Sequence, residues 1–217
     1  MFIFWAAMIA AVVSCPEMKA QDWADFKAYS QANSEVVSKP AAVFMGDSIT
    51  EGWGRQDGSF FSDNGFLCRG ISGQTTSHML VRFRRDVLDL SPKYVVIMAG
   101  TNDIAQNNGI ISLENIVGNI ISMCELAKLH KIKVILCSIT PADRYWWRKE
   151  VEPAAAIMEV NGMLRDYAKS ARIPYVDFHS VLADNGGGLP EKYAADGVHP
   201  NLECYKIMES VLLPYIR

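Results

Sequence analysis

The sequence predicts an α/β fold, a three-layer α/β/α sandwich around a five-stranded parallel sheet. Three observations carry this expectation. Short apolar runs recur along the chain and alternate with longer stretches whose apolar residues fall at helical spacing. Such alternation is best satisfied by a parallel sheet with helices on both faces and right-handed crossovers. The polar residues able to do chemistry stand just after the first three runs and just before the last helix, at what is one edge of such a sheet.

Taken in order, Asp22 is positioned to cap a first helix through Trp23, Phe26 and Tyr29. The first strand is Ala41 to Met45 and the second Phe66 to Arg69. A helix beginning near Thr75 carries Met79, Leu80, Phe83, Val87 and Leu88 on one side. The third strand is Tyr94 to Met98. The next helix runs from about Ser112 to His130, with Ser112 and Asn115 as candidate caps and Ile116, Ile120, Met123 and Ala127 facing inward. Lys133 to Ser138 is the fourth strand. A helix from about Pro153 to Ser170 starts on a proline, where the missing N–H costs least. Tyr175 to Phe178 is the fifth strand, and a last helix follows Pro200.

The chain has 217 residues, half of them hydrophobic, and a net charge of -3. That is enough for one domain with a substantial core. With no basic block, nucleic acid is not an expected partner. Phe2 to Val13 is an uncharged apolar run, too short to span a bilayer and of the kind found in export signals, although the positive charge that usually precedes one is missing. Residues 1–20 are therefore expected to be an export signal and 21–217 a single domain. Val12-Val13-Ser14-Cys15 resembles a lipoprotein cleavage box, which would make Cys15 a lipid anchor; cleavage after Ala20 is the alternative route. Either way the protein is expected to be exported, as a periplasmic, secreted or surface-anchored protein. Five cysteines are present; Cys68, Cys124, Cys137 and Cys204 show no metal or redox spacing and read as buried small hydrophobes, while an oxidising compartment leaves a disulfide open.

The chemistry concentrates in two segments. In Met45-Gly46-Asp47-Ser48-Ile49-Thr50, a serine follows a buried strand, and Ser48 is the candidate nucleophile. A serine hydroxyl is weak until a base takes its proton. Asp196-Gly197-Val198-His199-Pro200 offers such a base, His199, with Asp196 three residues earlier as the carboxylate that orients it. Arg69-Gly70-Ile71-Ser72-Gly73-Gln74 follows the second strand, and Ala99-Gly100-Thr101-Asn102-Asp103 follows the third.

With these four blocks in this order, the chain resembles the SGNH hydrolases, also called the GDSL esterases and lipases, from about Val43 to about Tyr205. The flavour is that of the platelet-activating-factor acetylhydrolase and carbohydrate acetylesterase branches. The resemblance implies a flavodoxin-like strand order of 2-1-3-4-5 and a Ser48–His199–Asp196 triad. It also implies an oxyanion hole from the N–H of Ser48, the N–H of Gly73 and the side-chain amide of Asn102. Asp47 and Asp103 are expected to shape the loops rather than react. Cys68 stands where relatives often carry asparagine. His78, His130 and His179 read as surface or structural histidines. No sequence motif points to a metal or a nucleotide cofactor.

Substrate residues are less determined. Arg144, Tyr145, Trp146, Trp147 and Arg148 follow the fourth strand, where rings can pack on a sugar face and arginines can bind a carboxylate, or where the rings can instead cover the core. Trp53 carries the same two readings. The leading expectation is a serine esterase that removes short acyl groups, acetyl above all, from a carbohydrate. A lipid-directed acylhydrolase is the alternative, and a non-catalytic carbohydrate-binding protein on the same fold is a third.

Overall fold

Strand β1 (Ala42–Gly46) lies inside the sheet with a neighbour on each side and all five residues buried, which is why it reads as an unbroken apolar run rather than an alternating one. The computed structural model describes residues 21–216; the predicted export signal lies outside the described residues. Five strands, β1, β2 (Phe66–Gly70), β3 (Tyr94–Met98), β4 (Lys133–Cys137) and β5 (Tyr175–Val176), pair in parallel in the order β2-β1-β3-β4-β5. The order reverses between β1 and β3. At such a switch point the crossovers leave on opposite faces, and a crevice opens at the carboxyl ends of the strands.

The helices are α1 (Ser30–Ser34), α2 (Ser48–Gln56), α3 (Gly58–Asp63), α4 (Thr76–Phe83), α5 (Thr101–Ile104), α6 (Leu113–Leu129), α7 (Pro153–Ala171), α8 (Phe178–Leu182) and α9 (Leu202–Leu212). Helix α4 continues into one π-helical turn, Arg84–Leu88. Of the two candidate caps of α6, Ser112 is the one used; its hydroxyl accepts from the Asn115 N–H at 3.3 Å. The inward-facing residues Ile116, Ile120, Met123 and Ala127 are buried as the spacing predicts.

Two elements differ from expectation. The helix predicted through Trp23, Phe26 and Tyr29 is a pair of turns, and α1 begins only at Ser30. Asp25 adopts a left-handed backbone (φ 55°), which interrupts a right-handed helix, and the Asp22 carboxylate closes the turn by accepting from Phe26 and Lys27 at 2.8 and 3.1 Å. The fifth strand is shorter than predicted, because Asp177 caps α8, accepting from the Ser180 N–H at 3.0 Å. Cys68, Cys124, Cys137 and Cys204 are free thiols, three of them fully buried.

Candidate active site

Helix α2 starts on the reactive segment itself. Asp47 is its N-cap, with Oδ1 accepting from the Ile49 N–H at 3.0 Å, so Ser48 is the first helical residue. The leading N–H groups of a helix have no intrahelical acceptor and carry the positive end of its dipole. The backbone of α2 presses on the end of β2 at Gly70, where a Cβ would collide with the Glu51 nitrogen and the Asp47 oxygen. Only glycine permits that approach, and it brings the second block against the serine.

The Ser48 hydroxyl lies 2.8 Å from His199 Nε2, and His199 Nδ1 lies 2.6 Å from Asp196 Oδ2. The second carboxylate oxygen of Asp196 accepts from the backbone N–H groups of Val198 and His199 at 2.9 and 2.8 Å. Partial burial pulls the Asp196 carboxyl upward, but those N–H groups and the imidazole outweigh it and hold it below the usual carboxylate range. An ionised carboxylate on Nδ1 leaves Nε2 free to accept from Ser48, which is the polarity a general base requires.

The other two blocks close around the serine. Gly73 is exposed at the rim with φ 77°. Nothing stands within 4 Å of where its Cβ would be, so the backbone conformation rather than crowding calls for glycine. Ser72, beside it, donates through both its N–H (3.0 Å) and its hydroxyl to Glu51 of α2. Asn102 is buried at the start of α5; its Nδ2 donates to the Gln74 carbonyl at 3.1 Å and to Asp47 Oδ2 at 3.3 Å. Asp103 accepts from the Thr76 N–H and hydroxyl at 2.8 and 2.6 Å, tying α5 to the start of α4. Burial pushes the carboxyls of Asp47 and Asp103 up to about 6. Both are spent on loop hydrogen bonds.

A cleft of about 330 Å³ opens over this arrangement, lined by Ser48, Ser72, Gly73, Asn102, Asn107, Trp146, Trp147 and His199. The predicted substrate residues therefore divide. Trp146 (62% exposed) and Trp147 form one wall, and the Trp147 ring lies 6.3 Å from the His199 ring. Arg144 packs over Gly197 in the loop that carries Asp196 and His199, and pairs with Asp143 at 3.2 Å. Arg148 turns away from the cleft and donates to the carbonyls of Ala105 and Gln106 at 3.0 and 2.7 Å. Two of the predicted substrate residues belong to the core instead. Tyr145 is buried beneath Trp147. Trp53 is 1% exposed, stacked between Phe60 and Tyr205 with ring centroids 5.4 Å away on each side, and its Nε1 donates to Glu209 at 3.1 Å.

The remaining histidines do not line the cleft. His78 closes a capping box with Thr75, His130 ends α6, and His179 is buried in α8. The sequence reading passed over Arg82, which is fully buried and donates to Gln74 Oε1 (2.5 Å), Asp86 Oδ2 (2.8 Å) and the carbonyls of Gly46 (3.0 Å) and Arg69 (2.9 Å). It thereby fastens the ends of β1 and β2 to the loop carrying Gly73. The signal is the Arg82–Asp86 pair, opposite charges four residues apart beside the apolar Met79, Phe83 and Val87.

The profile of the GDSL-like lipase/acylhydrolase family matches residues 44–207, a span that holds all four blocks. The chain belongs to this family of carboxylic ester hydrolases. Among solved structures, a GDSL-like lipase from Bacteroides thetaiotaomicron is 44% identical, with a TM-score of 0.86 over 89% of this chain and 97% of that one. A presumed acylhydrolase from Bacteroides fragilis is also 44% identical, with a TM-score of 0.88 over 91% and 98%. The uncharacterized lipoprotein YqeF of Bacillus subtilis (strain 168) is 32% identical over 152 residues, which are 61% of this chain and 63% of that protein. The chain thus spans less than two thirds of YqeF. Among the described residues, no helix is long and apolar enough to cross a membrane.

Proposed function

We propose that this GDSL-family protein is a serine esterase that removes short acyl groups, acetyl above all, from carbohydrates. The observation that carries this reading is the hydrogen-bonded chain Ser48–His199–Asp196 at the floor of a small open cleft walled by two tryptophans. In the proposed mechanism, Ser48 Oγ attacks the ester carbonyl while His199 Nε2 takes its proton. The N–H groups of Ser48 and Gly73 and the Nδ2 of Asn102 bind the oxyanion that develops. The Asn102–Asp47 contact, at 3.3 Å, is the longest of the Asn102 side-chain hydrogen bonds, and in this mechanism it is the one the oxyanion replaces. Collapse of the tetrahedral intermediate expels the alcohol, which receives the proton from His199. A water then attacks the acyl-enzyme by the same route and releases the acid.

The cleft volume supports a short acyl group, and Trp146 offers an exposed ring of the kind that packs on a sugar face. That same exposed ring also suits an acyl chain, and it supports the second reading, a lipid-directed acylhydrolase. Kinship with a lipoprotein supports export with a lipid anchor at Cys15. A panel of acetyl, butyryl and long-chain aryl esters, acetylated glycans and a phospholipid, with Ser48→Ala as control, tests the reading. Higher kcat/KM on acetylated glycans is expected; preference for long-chain esters or phospholipid would give the lipid-directed reading instead.

A further inference from the structure

Asn107 lies outside the four sequence blocks, at the end of the turn that follows Asn102, and its backbone N–H donates to the Asn102 carbonyl at 3.0 Å. Its side chain is engaged at both ends. Nδ2 donates to Asn102 Oδ1 at 2.6 Å, and Oδ1 accepts from Trp147 Nε1 at 2.9 Å. A chain of hydrogen bonds therefore runs from the cleft wall through two amides to the Gln74 carbonyl, 3.1 Å from Asn102 Nδ2. Its two ends fix its direction. An indole N–H can only donate and a carbonyl can only accept. Turning either amide over would set donor against donor at Trp147, or acceptor against acceptor at Gln74 and Asp47. The only fully paired arrangement is the one in which Asn102 keeps its nitrogen toward Gln74 and Asp47, the residue that precedes Ser48.

We infer that Asn107 is a positioning residue, which together with the Trp147 indole locks the polarity and angle of the Asn102 amide so that Nδ2 is preset for the oxyanion. The inference rests on the reading of Asn102 as an oxyanion donor. It gives Trp147 a role apart from contact with substrate. Arg148 supports the relay from behind, since its guanidinium holds the Ala105 and Gln106 carbonyls just before Asn107. Preorganised donors are effective because they need not reorient as charge develops. Loosening this one should therefore lower kcat while leaving substrate binding alone.

The test uses Asn107→Leu, which keeps the bulk and removes both hydrogen bonds, and Trp147→Phe, which keeps an aromatic wall and removes the N–H. For a small aryl acetate, Asn107→Leu is expected to lower kcat about 10-fold with KM little changed. Binding of an aryl trifluoromethyl ketone, whose hemiketal oxygen occupies the oxyanion position, should weaken by the same factor as kcat/KM. Trp147→Phe should show a smaller loss of the same kind, and the double variant should lose no more than Asn107→Leu alone, because both act through one chain. Unchanged kcat in folded Asn107→Leu, unchanged ketone affinity, or additive losses would overturn the inference. If Asn107→Leu does not fold, Trp147→Phe is judged by the same kcat and ketone criteria. Asn102→Ala separates the two levels: a fall of about 10²–10³ in kcat is expected. No fall there would remove the oxyanion reading itself, whereas a fall there with none in Asn107→Leu would remove only the positioning role.

Discussion

Replacing Arg82 by methionine tests the buried scaffold beneath the site. Its guanidinium is fully buried and serves Asp86, Gln74 and the carbonyls of Gly46 and Arg69. Removing one partner of a buried ion pair costs about 3–5 kcal/mol, because the other charge is left uncompensated. Two features pull the figure toward the lower end for the pair itself: Asp86 keeps a 2.7 Å bond from Asn33, and the Gly46 carbonyl keeps the Ile71 N–H at 3.2 Å. Loss of the donor to Gln74 and Arg69 adds about 1 kcal/mol or more. The expected total is about 4 kcal/mol, a large part of the roughly 5–15 kcal/mol that domains possess. With a urea slope of about 2.5 kcal/mol/M, the unfolding midpoint should drop by about 1.5 M. Arg82→Lys should recover only part of this, since an ammonium cannot reach four acceptors arranged for a planar fork. Turnover should also fall well below the melting temperature, because Gly46 leads into Ser48 and Gln74 follows Gly73. A midpoint shift below about 0.3 M would refute the reasoning, as it would show that the acceptors find other donors at little cost.

Ser48→Ala should nearly abolish ester hydrolysis without loss of fold, and a fluorophosphonate probe should label Ser48 alone; a label mapped to another serine would sink the assignment. His199→Ala should lower turnover by about 10⁴ or more and Asp196→Asn by somewhat less, measured as kcat on an aryl acetate. Asp196, held below the usual carboxylate range, should stay ionised to lower pH than an ordinary carboxylate, and a carboxyl signal of Asp196 that titrates at or above the ordinary range would contradict this. Trp53→Ala should lower stability by about 3–5 kcal/mol in urea unfolding, as a core aromatic does. Trp146→Ala should leave stability almost unchanged and raise KM for an acetylated glycan but not for a small aryl acetate; equal losses on both substrates would argue against a sugar platform.

The sequence by itself determined the parallel α/β class, the strand positions to within a residue or two and the segments that meet at the site. These are local properties. A strand buried on both faces must be apolar throughout, and an Asp-x-x-His loop brings carboxylate and imidazole together within three residues. The left-handed Asp25 and the cap at Asp177 escaped notice because each sets a short-range turn against a plausible apolar pattern. Tertiary structure alone decided which aromatic rings meet solvent. Trp53 and Trp146 are the same residue type, each close behind a strand end, yet Trp53 is closed off by Tyr205 and Glu209 while Trp146 stands in the cleft mouth. Beyond the Arg82–Asp86 spacing, the wider Arg82 network and the Asn107 relay were hidden for the same reason. Their partners on other elements lie far along the chain, and a hydrogen bond across that distance leaves no periodicity at either end.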